Sequence, residues 1–111
     1  MNKLSTTTLM GVSGESYKFD IYSSETMFRQ GLGGVYLIAK RYKLEDGKFT
    51  LDPIYIGELA DLSMLFGFHK KQSCFQKYGA NCKCIYVCGD SGERKEIVED
   101  LIEKHEPYCN D

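Results

Sequence analysis

Apolar and polar residues alternate in short runs along most of this chain, and a period of two marks strands. Residues 5–10 and 16–22 read as paired strands around Gly11-Val12-Ser13-Gly14, with Tyr17, Phe19 and Ile21 on one side and Lys18, Asp20 and Tyr22 on the other. Residues 23–33 are polar and contain glycine, with at most a helical turn over 26–29. The next strand spans 35–42. Asp46-Gly47 then marks a hairpin, expected as a type I′ turn because Asp-Gly tolerates positive φ at both central positions. The returning strand ends at Tyr55-Ile56-Gly57. Pairing centred on Asp46-Gly47 sets Tyr36 opposite Gly57 and puts Tyr55 on the same face, so that the two rings meet diagonally. Pro53 cannot donate to the ladder and points to a bulge in this strand.

The later part of the chain changes period. Asp61 is an N-cap for a helix through about Phe68, with Leu62, Leu65 and Phe66 at helical spacing. Residues 72–78 form a second short helix and 82–88 a strand. The last helix is signalled by an Asp90/Glu93 capping box and by the stop at Pro107. Its apolar stripe is Ile97, Val98, Leu101, Ile102 and His105, with Glu96, Glu99, Asp100 and Glu103 on the solvated side. The expected fold is α/β of the α+β kind: a mainly antiparallel central sheet flanked by helices, with an added N-terminal β-hairpin.

Composition narrows the class. At 111 residues the chain holds one domain with a core of its own. An apolar share of 42% and a charged share of 27% are ordinary for a globular protein. The formal charge of −2 and a pI near 5.7 supply no overall electrostatic footprint for nucleic acid. Two local basic clusters stand out, Lys40-Arg41-Lys43 and His69-Lys70-Lys71, each readable as a binding strip or as solvated surface. The N-terminus shows no apolar signal core, and no run is long enough to span a bilayer. Five cysteines, an odd count, favour reduced thiols in a cytoplasmic setting over a disulfide framework.

Gly34-Val35-Tyr36 and Tyr55-Ile56-Gly57, followed by Leu101-Ile102, Pro107 and Asn110, resemble the GIY-YIG nuclease family over about Gly34 to Asn110. The resemblance implies one GIY-YIG-like domain over 1–111, with 34–110 as its core and 1–33 as a hairpin extension. It also implies a phosphodiester-hydrolysing site in which the tripeptide tyrosines position or deprotonate the nucleophile, an arginine holds the phosphate and a glutamate holds one divalent cation. Tyr36 and Tyr55 match. The arginine position, about ten residues beyond the second tyrosine, is Leu65, and the glutamate position before the Leu-Ile pair is Val98. Losing one pre-aimed charge of this kind typically costs about 10²–10³ in rate.

Other residues near those positions carry chemistry. His69 sits where some family members place an assisting histidine, and reads equally as a vestigial acid–base group or as a histidine at a helix end. Glu58, Glu99 and Arg94 are substitutes for the missing charges or members of a solvated face. Asn110 matches the family's terminal asparagine and is expected to hold a loop by hydrogen bonds. Cys82, Cys84 and Cys88 share a strand face, but the last two are about 13 Å apart, which favours buried hydrophobes over a zinc site. The expected function is a catalytically inactive GIY-YIG-like module that binds nucleic acid or protein, with vestigial site residues Tyr36, Tyr55 and His69. Alternatives are a weak or atypical metal-dependent endonuclease and a small protein-interaction or inhibitor protein. Expected partners are DNA, RNA or another protein, with no membrane. No resident metal or cofactor is expected, and Mg²⁺ enters only with activity.

Overall fold

Each alternating run becomes a strand of one sheet: β1 Ser5–Met10, β2 Ser16–Ser23, β3 Gly34–Lys43, β4 Phe49–Leu59 and β5 Cys82–Val87. The computed structural model describes residues 3–65 and 69–110. The strand order is β1-β2-β5-β3-β4, and every neighbouring pair is antiparallel. β5 thus slots between β2 and β3 and joins the N-terminal hairpin to the rest of the sheet. Helix α2 (Ser91–His105) covers one face, while a 3₁₀ helix (Leu62–Leu65) and α1 (Gln72–Lys77) lie on the other. The class is α+β, an antiparallel sheet between helices.

Both faces are apolar, so the chain has two core layers. Toward α2, Phe19, Val35, Leu37, Ile56 and Cys84 pack with Ile97 and Leu101, and Val98 and Ile102 flank them. On the opposite face Tyr36, Ile38, Ile54 and Ile85 pack with Leu62, Leu65 and Phe75. Helix α2 begins where the capping signal predicts, with the Asp90 carboxylate accepting from the Glu93 amide at 2.8 Å. It ends as Glu106 turns left-handed at φ 45°, one residue before Pro107. Asp100 departs from the solvated-face reading. Its carboxylate accepts from the Ser13 amide, the Ser13 hydroxyl and the Tyr17 hydroxyl at 2.8, 2.7 and 2.9 Å, tying the β1–β2 loop to α2.

The β3–β4 hairpin corrects the turn expectation. Among the turn residues only Gly47 has positive φ, at 87°. The Gly47 amide donates to the Leu44 carbonyl at 3.0 Å and the Leu44 amide to the Lys48 carbonyl at 2.8 Å. This is a three-residue loop, a type I turn closed by a left-handed glycine, and not a type I′ turn. Lys43 pairs with Phe49, so the hairpin is centred on Asp46. That centre alone would put Tyr36 opposite Ile56. The bulge signalled by Pro53 then intervenes: Ala39 pairs with Pro53 but Ile38 with Tyr55, leaving Ile54 as the extra residue. The two offsets cancel, and Tyr36 lies opposite Gly57 as the pattern predicts.

Two further expectations change. The segment after Asp61 forms a 3₁₀ turn over Leu62–Leu65 instead of the start of an α-helix; the expected continuation through Phe66 to Phe68 lies outside the described residues. Asp61 still caps it, accepting from the Ser63 amide at 3.0 Å and hydroxyl at 2.7 Å. Nor are all thiols reduced, because Cys74 on α1 and Cys109 in the C-terminal tail form a disulfide. The odd count suggested unpaired cysteines, but the fold brings these two together across 35 positions of sequence, which spacing alone does not reveal. Cys82, Cys84 and Cys88 are free and buried. Among the described residues no helix is long and apolar enough to cross a membrane.

Candidate functional site

The face away from α2 gathers the aromatic residues of the two tripeptides. Tyr36 and Tyr55 lie on adjacent strands with ring centroids 6.0 Å apart. The ring of His69 stands edge-on to Tyr55 at 5.1 Å and lies 4.8 Å from Phe75 of α1. Tyr36 fits because its partner is glycine: a Cβ at Gly57 would lie 2.6 Å from the Tyr36 hydroxyl oxygen. All three sequence-predicted site residues therefore meet in one cluster, and Leu65 belongs to the same layer.

Hydrogen bonds fix the state of this cluster. The Lys71 amide donates to His69 Nδ1 at 3.0 Å, so that nitrogen carries the lone pair. The proton then sits on Nε2, which donates to the Tyr36 hydroxyl oxygen at 3.2 Å. Partial burial, followed by the Lys70 and Lys71 charges, holds the His69 pKa below its ordinary 6.5. Burial also pushes the Tyr36 hydroxyl well above the ordinary tyrosine range, helped by Tyr55 as charge and hydrogen-bond partner and by the charge of Glu58. At neutral pH the pair is a neutral imidazole against a neutral phenol. The one unprotonated nitrogen is already engaged by a backbone amide.

The charges suggested as substitutes lie elsewhere. Arg94, buried in the first turn of α2, donates from Nε to Glu58 at 2.8 Å and from a guanidinium nitrogen to the Cys88 carbonyl at 3.0 Å. Glu58 sits opposite Val35, on the α2 side of the sheet, and not in the tyrosine cleft. Glu99 is exposed on α2. Val98 packs in the α2 layer, so it and Leu65 are on opposite faces. Tyr36, Tyr55, Leu65 and Val98 do not line one cleft.

Asn110 has a structural part. Its side-chain oxygen accepts from the Ile56 amide at 2.9 Å and its side-chain nitrogen donates to the Ile56 carbonyl at 2.8 Å. With the Cys109 amide donating to the Ile54 carbonyl at 2.9 Å, the tail is tied to the free edge of β4. The cysteines of β5 are placed for packing: Cys82 and Cys84 lie in the α2 core layer, and Cys88 falls just past the strand. Among the described residues no group of three His, Cys, Asp or Glu side chains surrounds a common point where a metal could sit.

Two features go beyond what the sequence pattern singled out. The first is a cleft of about 400 Å³ beside the aromatic cluster, walled by Leu65, His69, Gln72, Phe75, Gln76 and Lys83. Lys83 is 8% exposed, and its ammonium donates to the Thr26 carbonyl at 3.2 Å. Its signal was a lysine inside a strand covered on both faces, where a charged residue is unusual. The second is a rim of rings and cations. Lys40 lies 5.7 Å from Tyr42 and Lys77 lies 5.5 Å from Tyr78 on the tyrosine side. Arg41, 4.0 Å over Phe49, and Lys43 fall on the α2 side, so the basic cluster read as one strip is divided between the two faces. Tyr78 and Tyr108 stack at 4.5 Å, and Asp52 beside Tyr108 is the acid of this rim, raising the Tyr108 pKa. Set against family models, curated proteins and solved structures, the chain gives no match.

Proposed function

We propose that this chain is a GIY-YIG-like protein without nuclease activity that binds single-stranded nucleic acid across the tyrosine face and its basic, aromatic rim. The observation that carries the inactive half is the engaged imidazole: His69 Nδ1, the one nitrogen able to take a proton, accepts the Lys71 amide. Phosphodiester hydrolysis needs a base, a cation on the phosphate and stabilisation of the leaving oxygen. Here the expected arginine position is Leu65 and the expected glutamate position, Val98, packs on the other side of the sheet.

Binding is supported by the rim. On the tyrosine face, rings with exposed faces, such as Tyr42 and Tyr108, lie among Lys40 and Lys77. Stacking on aromatics together with phosphate neutralisation is how sequence-tolerant single-strand binding is achieved. The test is fluorescence anisotropy with labelled single-stranded DNA and RNA oligomers over a range of salt. Binding that weakens with salt and with Tyr42→Ala or Lys40→Ala supports the proposal; no binding at low salt would sink it. A second reading, a weak metal-dependent endonuclease, draws on the Tyr36–His69 hydrogen bond, and Mg²⁺-dependent nicking separates it from the first.

A further inference from the structure

Lys83 poses a question that packing alone does not answer. Its side chain stands in a row that crosses the sheet as Tyr22, Lys83, Ile38 and Tyr55, each opposite the next. Burying an ammonium is costly unless an acceptor or anion compensates it. Among the described residues its hydrogen bond goes to the Thr26 carbonyl, which occupies one of three donor protons. The remaining donors belong to a group that lines the cleft, together with the amides of Gln72 and Gln76 and the ring of His69.

The two described charges lining the cleft offset one another, burial disfavouring the Lys83 ammonium and Glu25 favouring it, and the surplus positive charge comes from the residues beside His69. Lys83 is the one Lys or Arg among its described lining residues and Glu25, on the exposed β2–β3 connection, the one carboxylate. Lys70 and Lys71 add positive charge beside His69 and, after burial, help hold its pKa below the ordinary value. Leu65 and His69 both wall this cleft. The position counted for the phosphate-holding arginine is therefore aliphatic, yet the cavity it borders holds a cation from a different element, β5.

We propose that this cleft is a phosphate-binding site in which Lys83 supplies the positive charge and the Gln72 and Gln76 amides supply neutral donors. Lysine serves here as a point charge, without the fork geometry of arginine. The source of the phosphate, a polynucleotide backbone or a free phosphate group, rests on the nucleic-acid reading above. The site chemistry does not.

The experiment has two arms. In the first, inorganic phosphate is titrated into the isotopically labelled full chain while the His69 ring and the Lys83 Cε resonances are followed by NMR. Saturable shifts at both, with the His69 titration midpoint moving up, are expected, because a nearby anion favours the imidazolium. Lys83→Met should abolish the response and Lys83→Arg should retain it. Absence of a saturable response in the wild type, or an unchanged response in a folded Lys83→Met, overturns the proposal. Because the wild-type resonances report directly, a Lys83→Met that fails to fold leaves the proposal testable.

In the second arm, the same proteins bind a fluorescent oligothymidylate. Removal of one phosphate contact should weaken binding about tenfold and lower the log–log salt slope by about 0.7. Phosphate binding without oligonucleotide binding supports the site for a free phosphate ligand and defeats the nucleic-acid reading. Oligonucleotide binding that is indifferent to Lys83, with no phosphate response, does the reverse.

Discussion

The Tyr36 hydroxyl and His69 Nε2 lie 3.2 Å apart, and the other ring nitrogen of His69 accepts the Lys71 amide. Protonating His69 would set an N–H against that amide, so the bond and the proton exclude one another. His69 should titrate below its ordinary 6.5, with the Lys71 amide resonance shifting at the same midpoint. Because the folded value is lowered, the unfolded chain takes up the proton first as pH falls below about 6.5. The contribution is intact above that pH and is lost on acidification through the folded value. Urea midpoints at pH 7.5 and 5 should therefore differ more for the wild type than for His69→Gln; an equal difference would remove the coupling.

The contact between Tyr36 and Gly57 is equally specific. Gly57→Ala places a methyl within 2.9 Å of three Tyr36 atoms, including the hydroxyl oxygen at 2.6 Å. Tyr36 is 4% exposed and has little room to yield. The variant should lose about 1–3 kcal/mol of stability, and the Tyr36–His69 bond should break. Denaturant unfolding reads the first effect, and loss of the depressed His69 midpoint reads the second.

What the sequence disclosed and what it concealed divide along physical lines. The strands were readable because Phe19, Ile21, Val35 and Leu37 alternate against a buried face, and α2 because Asp90 caps it. The register of the tyrosines was readable because two offsets cancel: the turn is centred on Asp46, and the bulge at Pro53 restores the missing residue. Local pattern could not reveal the Cys74–Cys109 bond or the Arg94–Glu58 pair, because each joins residues that only the fold makes neighbours. Lys83 was overlooked because strand alternation predicts two faces but not that helices cover both.

Arg94 and Glu58 yield a separate test. The guanidinium side chain is 6% exposed and the carboxylate 26%, so removing one partner strands the other. Glu58→Ala should destabilise by about 2–4 kcal/mol. The double change Glu58→Leu with Arg94→Met should cost less than the two single changes added together. Denaturant midpoints for the four proteins form the cycle, and strict additivity would mean that the pair contributes nothing as a pair.

Reduction of the Cys74–Cys109 disulfide should loosen the tail. The bridge closes a loop across 35 positions, for which loop entropy implies about 2–4 kcal/mol. Its loss also weakens the hold on the edge of β4, where Cys109 bonds Ile54 and Asn110 bonds Ile56. Dithiothreitol treatment or Cys109→Ser should lower the unfolding midpoint and speed hydrogen exchange at the Ile56 amide. The amides of β5, in the middle of the sheet, should change only through global stability.

Whether the site cuts phosphodiesters can be tested across the two faces of the sheet. If the site is inactive, wild-type protein with Mg²⁺ leaves supercoiled plasmid and single-stranded DNA uncut. Leu65→Arg adds a cation to the layer that holds Tyr36 and Tyr55, but it supplies neither a metal ligand nor a free base. Val98→Glu does not complete the set, because residue 98 sits on α2 and packs from it into the opposite core layer, where a carboxylate should cost about 1–3 kcal/mol of stability. The double variant should therefore remain inactive while unfolding earlier than Leu65→Arg alone. Nicking by the folded double variant would mean that residue 98 reaches the tyrosine cleft after all. Robust wild-type cleavage abolished by Tyr55→Phe would overturn the inactive reading and make the Tyr36–His69 pair part of a working site.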